Sequence, residues 1–371
     1  MTHREPFIAT LLIAFSALVG VGIVEAGYHI YQRAFPPSLQ IESRRIMFFD
    51  GPDSIFLNRG DIFTYVPNSY IFTKTMYWSD SSFSTEYAYK FKTNNFGLVQ
   101  DRDLVRGVKS ILLLGDSFTE GQGAEPWFRQ VAPQIERLDY QPINGGLLGT
   151  GFLQWWKLAE LLSSNEIALA KVIIIFISDD FRRGIWNFPE TSLDCLRNIN
   201  LCHSWNAGLF RLPPASELAD WVAKIRTAKE PSNVSIKEGI KSALPATYEV
   251  YRFFLGVDEP SPKKSHPSQT KRVSTVINKM VDRYGRENVL FIQLPQNDEL
   301  KGTIMPDGLL AQKLIRDSGA RYADGTSLCG LDGSDFFVRD AHPNQQGYSK
   351  IARCVAQIIE PFLTQDRQSS R

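Results

Sequence analysis

The chain has little with which to hold a metal. Its 371 residues include only five histidines and four cysteines. No two cysteines form a Cys-x-x-Cys pair, and His203 is the only histidine beside a cysteine, so no cofactor or metal is expected. There is no surplus of charge either: 41 Lys and Arg against 40 Asp and Glu leave a net +1. That balance excludes a protein whose affinity for nucleic acid rests on a strong basic field. A mean hydropathy of −0.19 excludes a polytopic membrane protein, though not a single span. No internal repeat is visible. What is present is a chain 43% hydrophobic and 22% charged, able to bury a sizeable core. It is long enough for two modest domains, or one large domain with attachments.

The first stretch reads as a membrane signal. Pro6 to Val24 carries no charged residue, and a bilayer core needs about 20 apolar residues as a helix. Residues 1–27 are therefore expected to be a membrane anchor, inserted through residues 7–24. A cleaved signal is the alternative, with Val24-Glu25-Ala26 as a cleavage site. Arg4 precedes the run, and Arg33, Arg44 and Arg45 follow it, so the flanking charges do not settle orientation. The cysteines bear on the compartment. An even number behind a targeting segment suggests disulfides formed outside the cytoplasm. Cys195 and Cys202 are close in sequence, and Cys329 with Cys354 would tie the last helix to the segment before it. Four buried free thiols are the alternative.

Residues 28–108 lack helical period and read as a short strand-and-loop extension. From residue 109 the pattern changes. Ile111 to Leu114 is a continuous apolar run, as in a strand buried on both faces of a parallel sheet. Helices are expected at 125–138 and 152–162, and strands around 142–144, 172–177 and 288–294. The last helix carries Tyr348, Ile351, Ala352, Val355, Ile358, Ile359 and Phe362 on one face. Strands alternating with helices predict a three-layer α/β/α fold with a mainly parallel sheet over 109–365. Residues 183–266 are too many for one crossover and read as a helical, aromatic-rich insertion, with helical patterns at 216–229 and 236–255.

Two short segments carry chemistry. Gly115-Asp116-Ser117-Phe118-Thr119-Glu120-Gly121 follows the first strand of the sheet. A serine there sits at the carboxyl edge where open parallel sheets bind ligands, at the start of a helix whose free N–H groups favour negative charge. Asp340-Ala341-His342-Pro343-Asn344 opens the last helix. A serine nucleophile needs a base, and the base needs a carboxylate to fix its tautomer. His3 and His29 flank the membrane run, and His203 and His266 lie in the insertion. That leaves His342 at the mouth of the sheet, with Asp340 two residues before it.

Together these segments resemble the SGNH/GDSL hydrolase superfamily of serine esterases, lipases, carbohydrate deacetylases and some O-acetyltransferases. GDSFTEG resembles the family's first block, Asn144 to Gly149 its second, and Asp340 to Pro343 its fifth. Asn94 to Leu98 resembles the lead-in to the first strand. The resemblance implies a flavodoxin-like SGNH fold, with Ser117 as nucleophile, His342 as base, Asp340 as acid and Gly146 as an oxyanion donor. It also implies an acyl or acetyl ester substrate, carried on carbohydrate in some members. Two departures follow. Where the family presents an asparagine donor, this chain has Ser178-Asp179-Asp180, and an ionised Asp179 accepts hydrogen bonds without donating. Either Ser178 donates there, or Asp179 is protonated, or the oxyanion hole is weak. The spacing Asp-x-His, shorter than Asp-x-x-His, resembles the alginate-type O-acetylation branch. Transfer of acetyl to an exported polysaccharide, fed by a membrane acyl-donor protein, is therefore an alternative to hydrolysis. A non-catalytic glycan-binding relative is another. A thioesterase or phospholipase facing the cytoplasm would instead keep its cysteines free.

Overall fold

The computed structural model describes residues 45–368 except 53, 80–81, 203–207, 228–246, 248–266 and 301–302, and, of the first 44, residues 15–16 and 19–27. The chain divides into two units. One comprises residues 1–44, 79–82 and 223–263. Within the expected membrane run, residues 15–16 and 19–24 are helical and the others lie outside the described residues. Among the described residues no helix is long and apolar enough to cross a membrane. The helical pattern expected at 236–255 lies outside the described residues, apart from residue 247.

The second unit holds a five-stranded sheet whose strands are all parallel: β6 (Lys109–Gly115), β7 (Gln141–Gly146), β8 (Ala168–Phe176), β10 (Val289–Gln293) and β11 (Arg321–Asp324), in the order β11-β10-β8-β6-β7. The apolar runs make this sheet because successive side chains serve opposite faces. Leu112, Leu114, Val172, Ile174, Phe176, Val289 and Phe291 pack with Phe152, Trp155, Ile277 and Ile315. These partners belong to α3 (Phe152–Ser164), α4 (Pro267–Tyr284) and α5 (Pro306–Asp317). Ile111, Leu113, Ile173, Ile175, Leu290 and Ile292 pack on the other face with Val131, Ile135, Ile351 and Val355. Those come from α2 (Phe128–Glu136) and α6 (Gln345–Gln368). The result is the three-layer α/β arrangement expected, with the four-residue α1 (Ser117–Glu120) after β6.

Boundaries move by a few residues. The helix expected at 125–138 spans 128–136. The strand expected at 172–177 begins at 168 and ends at Phe176, because the Ile177 N–H turns to Asp180 Oδ2 at 2.9 Å. The larger difference is upstream. β1 (Arg45–Asp50), β4 (Tyr70–Ser79) and β5 (Ser82–Lys92) form a second sheet in the order β5-β4-β1-β9. With ten and eleven residues, β4 and β5 are longer than short strands. β9 (Leu209–Arg211), from the stretch read as an insertion, lies parallel to β1. Between β1 and β4, β2 (Phe56–Arg59) and β3 (Ile62–Tyr65) pair as a hairpin. Met47, Phe49, Phe56, Phe63 and Tyr65 share a hydrophobic core with the parallel sheet, so this sheet is built into the α/β body. Both disulfides are formed, Cys195–Cys202 and Cys329–Cys354.

Candidate active site

Ser117 stands at the carboxyl end of β6. A β-carbon on Gly115 would lie 1.9 Å from Thr119 Oγ1, so only glycine lets the helix begin this close to the strand. Asp116 caps α1. Its Oδ1 accepts from the Phe118 N–H at 2.8 Å, and its backbone oxygen accepts from the N–H groups of Thr119 and Glu120. The Ser117 N–H finds no acceptor among the described residues. Ser117 is nearly buried, with 5% of its surface exposed.

His342 Nε2 lies 2.8 Å from Ser117 Oγ, across 225 positions of chain. Its Nδ1 meets Asp340 Oδ1, which also accepts from the His342 N–H at 3.1 Å. The two residues lie in a run of bends, 338–342, whose ends are pinned. Phe336 and Pro343 form a bridge, the Phe337 N–H donates to His342 O, and the Asn344 N–H donates to Asp335 O. Cys329–Cys354 closes the loop around this segment. Burial works against a charge on Asp340, but the hydrogen bond and charge of His342, the charge of Arg45 and the Tyr87 hydroxyl outweigh it. They hold its carboxyl well below the usual carboxylate range.

The expected oxyanion donors fare differently. The Gly146 N–H donates to Asn144 Oδ1 at 3.0 Å. Gly146 is needed for another reason: a β-carbon there would lie 2.1 Å from Glu120 N, against the back of α1. The Ser178 hydroxyl donates to Glu299 Oε1 at 2.5 Å in a buried network with Gln293. Asp179 takes Gln296 Oε1 on its N–H and faces Arg182 at 3.4 Å. Among the described residues no hydrogen bond joins Gly146, Ser178 or Asp179 to Ser117. Asp340, His342 and Ser117 are brought into hydrogen-bond reach, Gly146 pairs with Gly115 on the neighbouring strand, and Ser178 and Asp179 follow β8 directly after Ile177.

The residues that sequence reasoning missed are charged and aromatic. Arg183 Nη1 pairs with Asp116 Oδ2 at 2.8 Å and Asp180 Oδ1 at 2.5 Å. Asp116 Oδ2 in turn lies 3.3 Å from Ser117 Oγ. Burial opposes the Arg183 charge, but the two carboxylates outweigh it and push its pKa up. Tyr77, Tyr87 and Arg45 reach Asp340 from the second sheet. No local motif marks any of the four. Trp155, Trp156 and Trp221 are buried. Trp186 packs between Phe63 and Phe188. A cleft of about 550 Å³ lined by Asp101, Arg129, Pro133 and Tyr140 holds none of the site residues.

No family model matches the chain, and no curated protein does. Among solved structures it is similar to the lipase/acylhydrolase from Enterococcus faecalis, with 13% identity over 69% of this chain and 95% of that one, at a TM-score of 0.36. It is similar to an acetylxylan esterase from Geobacillus stearothermophilus, with 13% identity over 69% and 95%, at a TM-score of 0.33. A protein described as a GDSL-like lipase from Bacteroides ovatus shows 12% identity over 90% and 89%, at 0.36. Likenesses this low carry no argument about activity, which rests on the chain's own geometry.

Proposed function

We propose that this chain is a serine ester hydrolase of the SGNH/GDSL type, acting on acyl esters and, as the narrower reading, on acetyl esters of carbohydrate. One observation carries the reading: the unbroken line from Asp340 through His342 to Ser117. His342, oriented by Asp340, takes the proton of the Ser117 hydroxyl as Ser117 Oγ bonds to the ester carbonyl carbon. The oxyanion forms beside the free N–H of Ser117. The protonated imidazole then gives its proton to the departing alcohol, leaving an acyl-enzyme. Water, deprotonated by His342, releases the acid; a sugar hydroxyl in its place makes the same step a transfer.

Turnover of 4-nitrophenyl acetate by the full chain tests this. Ser117→Ala should lower it by at least about 10³-fold and abolish labelling by a fluorophosphonate. Unchanged turnover would refute the assignment, and unlabelled wild type would favour the non-catalytic relative.

The location is part of the same proposal. An anchor through residues 7–24 holds the catalytic domain on the extracytoplasmic side. The two disulfides support it, since such bonds persist in oxidising compartments. Protease added to intact cells should then digest the carboxyl-terminal part; protection of that part would overturn the placement.

A further inference from the structure

The two oxygens of Asp340 have different surroundings. Oδ1 faces the ring nitrogen and the backbone N–H of His342. Oδ2 accepts from the Tyr77 hydroxyl at 2.9 Å and the Tyr87 hydroxyl at 2.8 Å, and Arg45 Nε lies 3.3 Å away. These partners sit on β4, β5 and β1, the three contiguous strands of the second sheet. They are separated from Asp340 by more than 250 positions of chain in the case of the tyrosines.

The direction of the Tyr87 bond is forced. Its oxygen accepts from Arg45 Nη2 at 2.9 Å and from Gln122 Nε2 at 2.7 Å. Both lone pairs are then taken, and the one hydroxyl proton can only go to Asp340. Gln122 lies two residues beyond the end of α1, and its N–H donates to Ser117 O. The Tyr87 hydroxyl therefore joins the nucleophile turn to the acid. Orienting a histidine takes only one carboxylate oxygen. The partners on the other oxygen fix the plane of the carboxylate, and with it the ring it orients.

We propose that Arg45, Tyr77 and Tyr87 are positioning residues for the Asp340–His342 pair, fixing the carboxylate that orients the imidazole. The inference rests on the hydrolase reading of the site. The remaining charges facing the pair are accounted for. Asp116, beside Ser117 Oγ, is matched by Arg183. Arg339, next to Asp340 in the chain, is exposed, with its guanidinium on Ser84 and its N–H on Glu86. Tyr77 and Tyr87 are held neutral by burial, helped by the charge of Asp340 and opposed by that of Arg45.

The test is kcat and KM for 4-nitrophenyl acetate, on the full chain. Arg45→Met should lower kcat by about fivefold with KM unchanged, because Asp340 Oδ2 loses one of its three partners. Arg45→Lys, which keeps a cation beside Asp340, should recover part of that loss. Tyr87→Phe should lower kcat by about tenfold with KM unchanged, less than the ~10²-fold that a 1 Å misplacement can cost. Wild-type kcat in Arg45→Met, or an equal loss in Arg45→Lys, overturns the proposal while Ser117→Ala remains inactive. Ser117→Ala with full turnover would instead remove the reading beneath it. If circular dichroism shows Arg45→Met unfolded, Tyr87→Phe decides: wild-type kcat overturns the proposal, and a loss in kcat alone upholds it.

Discussion

On one side of Ser117, Asp340 accepts from two tyrosine hydroxyls and from the backbone of the histidine it orients, and pairs with Arg45. On the other side, where a substrate's carbonyl oxygen would gain charge, the groups are occupied elsewhere. Gly146 donates to Asn144, Ser178 to Glu299, and Asp179 faces Arg182. Among the described residues the Ser117 N–H has no acceptor, and the nearby anion, Asp116, is matched by Arg183. On the proposed reading, the buried polar contacts serve the proton-transfer side more than the carbonyl side. An oxyanion donor is worth about 3 kcal/mol when lost, so a site built this way should favour activated esters with good leaving groups.

The largest effect expected on this comparison is on the proton-transfer side. Asp340→Asn keeps the shape but offers an amide, which stabilises the wrong imidazole tautomer. It should lower kcat by a factor on the order of 10⁴, measured on 4-nitrophenyl acetate beside the circular dichroism of the variant. A loss of tenfold or less would show that the dense contacts around Asp340 serve the fold and not the base.

The oxyanion side should respond more weakly and with the opposite sign. Asp179→Asn removes an anion from the mouth of the sheet and supplies an amide N–H. Turnover should rise, by up to about tenfold, well below the value of a fully aligned donor. The side chain is half-exposed and, among the described residues, pairs with Arg182 alone, at 3.4 Å, so it is free to turn. A fall in turnover would mean that the Asp179 charge, through Arg182, orders this edge.

The same contrast decides what could be read without coordinates. Ser117, Asp340 and His342 stood out because each lies in a local motif and because histidine is scarce. The parallel sheet stood out because buried strands are continuous apolar runs. Tyr77, Tyr87 and Arg45 did not, since their meaning lies in a partner more than 250 positions away for the tyrosines, and tyrosines in a strand rich in aromatics look alike. Gly146 was singled out as an oxyanion donor, but neither its close approach to α1 nor the turn of its N–H to Asn144 could be read. Arg183 follows a strand end as any solvated arginine might; only the burial of Asp116 and Asp180 gives its charge a purpose. Boundaries shifted where a side chain took over a backbone group, as Asp180 does for Ile177.

The smallest expected effect concerns stability and sets the two halves against each other in pH. Glu120, on α1 behind Ser117, is fully enclosed; its Oε1 accepts from the Tyr65 hydroxyl at 2.9 Å and its Oε2 from the Leu148 N–H at 2.8 Å. Burial pushes its carboxyl from 4.5 up to about 8, although those two hydrogen bonds pull the other way. The folded state thus binds this proton more tightly than the unfolded chain, and the associated stability is complete below pH 4.5 and lost as pH rises towards 8. Asp340 has the reverse sign: its lowered pKa gives stability that is present above the ordinary carboxylate range and lost on acidification. Glu120→Gln should therefore gain on wild type between pH 5 and pH 9, by an amount on the order of 3 kcal/mol, read from urea midpoints at both values. Its acid unfolding should be unchanged, because Asp340 still governs that limb. Parallel wild-type and variant curves across the window would show that Glu120 ionises in place, and that Tyr65 and Leu148 hold the oxyanion-side loop with a charge.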